Sequence, residues 1–259
     1  MREPWIGTGW KMNKTRKEAE DYLHVLAQYL NKQPSKLPTV FVVPPFTVLH
    51  RVCCLAKASP VQVGAQNMHW RESGAFTGEI SPAMVKDCGA ALVELGHSER
   101  RAMFGETDTT VNKKVRAAIA TGLKPLVCVG ESSTERQSGV ANETVIRQVK
   151  MALNGVARDQ VENVVLAYEP VWAIGDGGLP ADPAEANFMH ATIRKAIEAA
   201  YDQEAAKRVT ILYGGSVNSK NALGLIEMED IDGLFVGRSA WNVDGFIALI
   251  EIVSRYMRA

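Results

Sequence analysis

Eight short runs of apolar, largely β-branched residues recur along this chain, and they limit the folds available to it. The runs cover residues 5–10, 39–45, 61–67, 91–96, 126–130, 164–170, 209–215 and 233–237. Because they are continuously apolar rather than alternating, we expect strands buried on both faces, as in a parallel sheet covered by helices.

Helix signals lie between the runs. Thr15 and Glu18 form a capping-box pattern before a helix whose apolar face contains Ala19, Tyr22, Leu23, Leu26, Ala27 and Leu30. A second periodic segment, with Val111, Val115, Ala118 and Ile119, ends at Gly122. Asp182 followed by Pro183 is typical of a third helix start.

Eight strands, each followed by helical sequence, fit the 259 residues of the chain as one unit. This pattern predicts the α/β class and a (β/α)8 barrel, with residues 1–259 as a single domain. A doubly wound open sheet is the alternative, since periodicity indicates topology only weakly.

Composition excludes several classes of function. Lys plus Arg and Asp plus Glu both number 29, so the chain lacks the net basic charge expected for binding nucleic acid or an anionic membrane. No apolar stretch approaches the roughly 20 residues of a membrane span, and no signal-peptide pattern opens the chain. We therefore expect a cytoplasmic protein that binds neither nucleic acid nor membrane.

Isolated cysteines and most histidines carry no catalytic pattern. The cysteines form no CxxC pair, so we interpret all four as small buried hydrophobic residues rather than metal or redox groups: Cys53, Cys54, Cys88 and Cys128. His24, His50 and His190 fall in helical segments, which indicates surface or packing roles.

Ionisable residues gather after the predicted strands. Lys11 follows the first, His97 the fourth and Glu169 the sixth. In a barrel these strand ends meet at one rim, where a base, a proton shuttle and a fixed positive charge could move a proton between carbons through an enediolate. For each residue alone a structural or solvated role is possible.

Glycines follow the last two strands, in "YGGSV" (213–217) and "FVGRSAW" (235–241). At strand-to-helix turns, free backbone N–H groups can hold an anion, and Ser216 adds a hydroxyl. A tight turn explains such glycines equally well, but barrels often bind phosphate after strands seven and eight.

Five blocks of this sequence resemble the signatures of the triosephosphate isomerase family. They are "WKMNKT", "AQNMHWRESGAFTGEIS", "VELGHSERR", "AYEPVWAIG" and "LYGGSVN", and they extend from residue 10 to residue 218. The resemblance implies a TIM barrel without cofactor or metal, in which Glu169 is the carbon base, His97 a neutral electrophile and Lys11 the charge that stabilises the enediolate. These roles are carried over from the family.

The resemblance also implies roles for the surrounding residues. Ser98, Glu99 and Cys128 would support the catalytic groups, and the phosphate would be held by Gly175, Ser216, Gly237 and Arg238. Residues 170–181 would form a closing lid. Residues 66–79 would insert into a partner subunit, giving a homodimer.

Three departures from the family pattern bear on substrate choice. Gly9 stands where the family usually has asparagine, the lid reads "AIGDGGLPA" with a second hinge at Gly178-Leu179-Pro180, and Gly237-Arg238 replaces a glycine pair. Loss of the asparagine side chain opens space beside the reacting carbons. We hypothesise that this space admits a sugar one hydroxymethyl group longer than a triose.

Taken together, these three departures resemble one branch of the triosephosphate isomerase family. The enzymes of that branch interconvert L-erythrulose 1-phosphate and D-erythrulose 4-phosphate in erythritol breakdown. The alternatives are glycolytic triosephosphate isomerase chemistry, a catalytically silent phosphometabolite binder, and a barrel enzyme that forms a Schiff base through Lys11.

Overall fold

The strands of the protein close into a parallel barrel. A computed structural model describes residues 3–33, 36–175, 178 and 180–258. Each strand pairs with the next in sequence. The strands are β1 (Trp5–Gly9), β2 (Thr39–Val43), β3 (Gln62–Ala65), β4 (Leu92–Leu95), β5 (Lys124–Val129), β6 (Val165–Tyr168), β7 (Thr210–Tyr213) and β8 (Gly233–Val236). Pairing of β1 with β8, with Trp5 opposite Gly233, closes the ring and excludes the open sheet.

Helices surround this ring. They are α1 (Arg16–Asn31), α2 (Phe46–Ala56), α3 (Pro82–Asp87), α4 (Ser98–Met103), α5 (Asp108–Ala120), α6 (Ser133–Gln137), α7 (Ala141–Leu153), α8 (Pro183–Ala200), α9 (Gln203–Arg208), α10 (Ala222–Ile226) and α11 (Val243–Tyr256). Short 3₁₀ turns cover Val161–Asn163, Val171–Ala173 and Arg238–Ala240. The predicted (β/α)8 barrel is confirmed. Among the described residues, no helix combines the length and apolar character needed to cross a membrane.

The helix signals in the sequence act as expected. Before α1, the Glu18 carboxylate accepts hydrogen bonds from the backbone N–H and the hydroxyl of Thr15, both at 2.7 Å. Before α8, the Asp182 carboxylate accepts a bond of 2.9 Å from the backbone N–H of Ala184. These three bonds satisfy backbone or side-chain donors at helix starts, where intrahelical acceptors are missing.

Two apolar layers hold the barrel together. One lies between strands and helices, and the other fills the inside of the ring. Side chains alternate between them, so that on β4 Leu92 faces inward while Val93 and Leu95 face the helices. The same alternation turns Glu94 inward.

The observed strands end earlier than we predicted. β2 stops at Val43 because Pro44 and Pro45 have no backbone N–H for the ladder. β1 stops at Gly9, and two residues later Lys11 has the left-handed φ of +53°. The residues past the strand ends turn out of the sheet toward the rim. At the other end, β5 begins at Lys124, before the predicted start, and the Lys124 ammonium lies over the Trp5 ring.

The cysteine interpretation was wrong for two positions. All four cysteines are free thiols, but only Cys53 and Cys128 are buried, whereas Cys54 and Cys88 are partly exposed. Cys54 follows Cys53 on α2, and one helical residue rotates a side chain by about 100°, away from the core. Of the histidines assigned to helices, His190 is buried in α8, and the others are exposed.

Candidate active site

A cavity of about 240 Å³ opens at the carboxyl ends of the strands. Its walls contain eight of the eleven predicted site residues: Gly9, Lys11, His97, Glu169, Gly175, Ser216, Gly237 and Arg238. The remaining three lie behind this wall. Glu99 contacts Lys11 and His97, while Ser98 and Cys128 line an adjoining cavity that Glu169 also borders.

Lys11 is held by contacts at both its ends. Its ammonium donates a hydrogen bond of 2.7 Å to Glu99 Oε1, and its backbone carbonyl accepts a bond of 2.9 Å from the Gln66 amide. The left-handed backbone of a lysine costs on the order of 1–3 kcal/mol and persists only when surrounding contacts enforce it. These contacts fix the ammonium at the rim of the cavity.

The orientation of the His97 ring is set by the start of α4. The backbone N–H of Glu99 donates to His97 Nδ1 over 3.1 Å. A ring nitrogen that accepts a bond must carry a lone pair, so the neutral ring has its proton on Nε2. Nε2 lies 3.7 Å from Glu169 Oε2, with the ring directed at the cavity.

Glu169 comes immediately after β6 and is almost completely buried. Its backbone N–H donates to the Val129 carbonyl over 2.7 Å, which continues the β5–β6 ladder and fixes the main chain. A side chain at Gly214 would place its Cβ 2.6 Å from Glu169 Cγ, so only glycine leaves room for the carboxylate there. Glu169 Oε2 is buried and has no hydrogen-bond partner among the described residues.

The opposite wall carries backbone and hydroxyl groups. Ser216 follows β7 and Gly237 follows β8, and these neighbouring strands bring both residues to one side of the cavity. The 3₁₀ turn Arg238–Ala240 begins directly after Gly237, so its first N–H groups have no acceptors within the turn. Such groups suit an anion.

Sequence reasoning missed Glu94, which also lines the cavity. Cys128 Sγ lies 3.8 Å from Glu94 Oε1. Burial raises the pKa of Glu94 to about 7, and the Glu169 charge adds to this effect while His97 and Lys11 oppose it. Burial likewise raises the pKa of the Cys128 thiol well above its usual range, so that it remains an S–H donor. A carboxylate in the apolar run "ALVELG" was the signal in the sequence.

Glu94, Cys128 and Glu169 each place one possible ligand atom within 4.8 Å of the others. Binding a metal here would require the Cys128 thiol to lose a proton that burial helps it to keep. Glu94 and Glu169 line the cavity, whereas Cys128 lies behind its wall.

Comparison with known proteins identifies the family. The triosephosphate isomerase family model matches residues 4–253. The chain belongs to the triosephosphate isomerase family. A protein of Rhizobium rhizogenes named L-erythrulose-1-phosphate isomerase is 47% identical over 98% of this chain and 96% of its own length. Proteins of the same name from Rhizobium meliloti and Rhizobium etli are 48% and 49% identical, covering 97% and 96% of this chain and 97% and 92% of their own lengths.

In this member of the triosephosphate isomerase family, the start of the predicted lid is anchored. Glu131 Oε1 accepts hydrogen bonds from Trp172 Nε1 at 2.7 Å and from the Tyr168 hydroxyl at 3.2 Å. The Arg136 guanidinium lies 4.0 Å from the centre of the Trp172 ring. Residues 176, 177 and 179 of the lid, including Leu179 of the second hinge, lie outside the described residues. A lid over 170–181 stays a prediction.

The environment of Glu94 predicts a pH-dependent stability. The Glu94 carboxyl group holds its proton more tightly in the folded protein than in the unfolded chain, where its pKa is near 4.5. The resulting stabilisation is complete below pH 4.5 and is lost as the pH rises to about 7. Relative to Glu94→Gln, the wild-type free energy of unfolding should fall by on the order of 3 kcal/mol across this range.

Urea denaturation at fixed protein concentration, from pH 4.5 to about 8, measures this difference. Glu198→Gln, at an exposed position of α8, is the control and should keep a nearly constant offset from wild type. A constant offset for Glu94→Gln as well would contradict the assigned environment.

Proposed function

We propose that this protein is a cofactor-independent isomerase that converts L-erythrulose 1-phosphate to D-erythrulose 4-phosphate through an enediolate. The observation that carries the proposal is the unpartnered, buried Glu169 Oε2 facing His97 Nε2 at 3.7 Å in a cavity that also contains Lys11. A buried carboxylate oxygen without a partner is costly, and a substrate C–H placed there gives it a proton to remove.

The residues divide the reaction between them. Glu169 removes the proton from the carbon that bears the hydroxyl group, and the electron pair moves toward the carbonyl oxygen. His97 donates its Nε2 proton to that oxygen, then accepts a proton from the neighbouring hydroxyl. Lys11 supplies a fixed positive charge to the developing oxyanion. Return of the proton from Glu169 to the former carbonyl carbon completes the isomerisation and restores both side chains.

The substrate assignment draws on the relatives and on Gly9. Proteins named L-erythrulose-1-phosphate isomerase match nearly the full chain. In a tetrulose phosphate the carbonyl moves between the same two carbons beyond the phosphomethylene as in a triose phosphate, and only the terminal group is larger. Gly9, without a side chain in the cavity wall, leaves room for that group. Gly175, Ser216, Gly237 and Arg238 would hold the phosphate.

The alternatives make different demands on the same site. Triose phosphate isomerisation uses the same catalytic residues. A silent binder would not require Lys11, His97 and Glu169 to line one cavity. Schiff-base chemistry would require a Lys11 amine that is free for nucleophilic attack, whereas the Lys11 ammonium donates a hydrogen bond of 2.7 Å to Glu99.

Changing Glu169 to Gln should lower kcat by at least 10²–10⁴-fold, roughly the contribution of a general base, while sugar-phosphate binding is largely kept. Turnover and incorporation of deuterium from D₂O into substrate carbon measure the loss. Glu198→Gln makes the same chemical change at an exposed site and should match wild type. Wild-type protein that binds sugar phosphate yet exchanges no carbon proton would instead indicate the silent binder.

Substrate choice is tested by kcat/KM for L-erythrulose 1-phosphate and for glyceraldehyde 3-phosphate, measured in parallel. We expect the four-carbon substrate to have the higher kcat/KM. The ratio of the two kcat/KM values measures how strongly the enzyme discriminates between the substrates. A higher value for the triose phosphate would favour glycolytic triosephosphate isomerase chemistry.

Borohydride treatment with substrate should trap no adduct on Lys11.

We further propose that the protein is a homodimer in the cytoplasm, where its four free thiols would stay reduced. Apolar side chains are exposed on the segments next to the rim: Met12 (96%), Met103 (65%), Phe104 (65%) and Phe76 (41%). The predicted contact loop, 66–79, is fixed at its base, where Asn67 accepts a bond of 2.8 Å from the buried Lys114 ammonium.

Sedimentation velocity tests the dimer. Met103→Lys would place a charge in the proposed interface and should raise the monomer fraction several-fold. Phe188→Lys makes a similar change on α8, at a side chain that is 60% exposed, and should leave the distribution unchanged. Wild-type protein sedimenting as a monomer would refute the assembly.

A further inference from the structure

Glu94 places a carboxylate in the apolar interior of the barrel. Its inward neighbours on β4 and β5 are Leu92 and Leu126, and the side chains that fill the ring include Phe41 and Phe235. Glu94 is only 5% exposed. A buried carboxylate is costly unless hydrogen bonds or an opposite charge compensate for its lost hydration.

The protein contacts of Glu94 do not account for this cost. The Cys128 thiol is a weak donor and lies 3.8 Å from Oε1. Lys11, whose positive charge lowers the Glu94 pKa, is itself paired with Glu99 at 2.7 Å. Glu169 adds a like charge that raises the Glu94 pKa further. Among the described residues, Glu94 therefore has no strong hydrogen-bond donor or ion-pair partner, and the direction left open to it is the cavity that it lines.

Gly9 keeps the Glu94 carboxylate open to that cavity. A Cβ at position 9 would lie 3.9 Å from Glu94 Oε2 and only 3.2 Å from Phe235 Cζ. The Gly9 carbonyl accepts a hydrogen bond of 3.1 Å from Trp241 Nε1, which fixes the backbone there. The space predicted at Gly9 is thus bordered by an aromatic ring and by a carboxylate oxygen.

Barrel topology places this carboxylate away from the proposed phosphate site. β4 and β8 are four strands apart in a ring of eight, so Glu94 approaches the cavity from the side opposite Gly237. A phosphate held after β8 directs the far end of a sugar phosphate toward β4. That far end is a hydrogen atom in a triose and a hydroxymethyl group in a tetrulose.

We propose that Glu94 is a specificity-determining residue that hydrogen-bonds the terminal hydroxyl group of a four-carbon sugar phosphate. This inference rests on the proposed function and names the group that selects the substrate. The ionised carboxylate accepts the hydroxyl proton, and the protonated form can also donate to the hydroxyl oxygen. A triose phosphate lacks this hydroxyl and leaves the buried Glu94 carboxylate without a partner. The free energy of the transition state is therefore higher for the triose phosphate.

The test compares kcat/KM for L-erythrulose 1-phosphate and for glyceraldehyde 3-phosphate in wild type, Glu94→Leu and Glu94→Gln. The ratio of the two constants should fall on the order of 10²-fold in Glu94→Leu, and about tenfold in Glu94→Gln, whose amide still hydrogen-bonds. Competitive inhibition by erythritol 4-phosphate and by glycerol 3-phosphate should show the same loss of preference. Both variants remove a costly buried charge, and thermal unfolding verifies that they fold.

Glu131→Gln is the matched control. Glu131 is also a buried carboxylate at a strand end, but it bonds to Tyr168 and Trp172 and does not line the cavity. Any loss of activity in this variant should affect both substrates equally and leave the ratio unchanged.

The outcomes separate the two proposals. Wild-type protein that turns over only the triose phosphate would overturn the proposed function and the role of Glu94 together. Wild-type preference for the tetrulose phosphate, kept in both Glu94 variants, would overturn the role of Glu94 alone. Equal loss on both substrates would also overturn it, because Glu94 would then act in the common chemistry.

Discussion

Closure of the parallel sheet is the constraint on which the site depends. Once β1 hydrogen-bonds to β8, all eight strands point the same way around one ring, and their carboxyl ends have a single rim to share. Residues separated by more than 150 positions, such as Lys11 and Glu169, then line one cavity. The two apolar layers stabilise this ring, so the charged groups at the rim can be placed for chemistry rather than for folding.

The rim groups are oriented by neighbours that do not contact the reacting atoms. The Glu99 backbone N–H sets the tautomer of His97, and the Glu99 carboxylate holds the Lys11 ammonium. Gly214 leaves the space in which the Glu169 side chain lies. Because each of these contacts comes from a strand end or a helix start, the rigid part of the fold holds the three groups in register.

Much of the fold could be predicted from the sequence, for identifiable reasons. Continuous apolar runs and helix caps depend on local chemistry, so the strand–helix alternation and the starts of α1 and α8 followed from the residues alone. Strand ends were less predictable, because an apolar residue such as Trp10 is as compatible with a buried turn as with a strand. The exposure of Cys54 depends on which face of α2 packs inward, which sequence spacing around a Cys-Cys pair leaves open.

Glu94 was missed for a different reason. A single carboxylate in an apolar run resembles a strand residue that faces solvent, and only the closed ring shows that this face points inward. The family motifs located the catalytic groups because those lie in long signature blocks. The residue that we propose to select the substrate lies inside one of these blocks, "VELGHSERR", at a position to which the resemblance assigned no role, and its neighbours Gly9 and Phe235 come from opposite ends of the chain.

The contact between Gly9 and Phe235 also limits how this site can evolve. A Cβ at position 9 would meet the Phe235 ring at 3.2 Å, so a larger residue there is accommodated most readily after position 235 has become smaller. The fitness effect of either substitution therefore depends on the other.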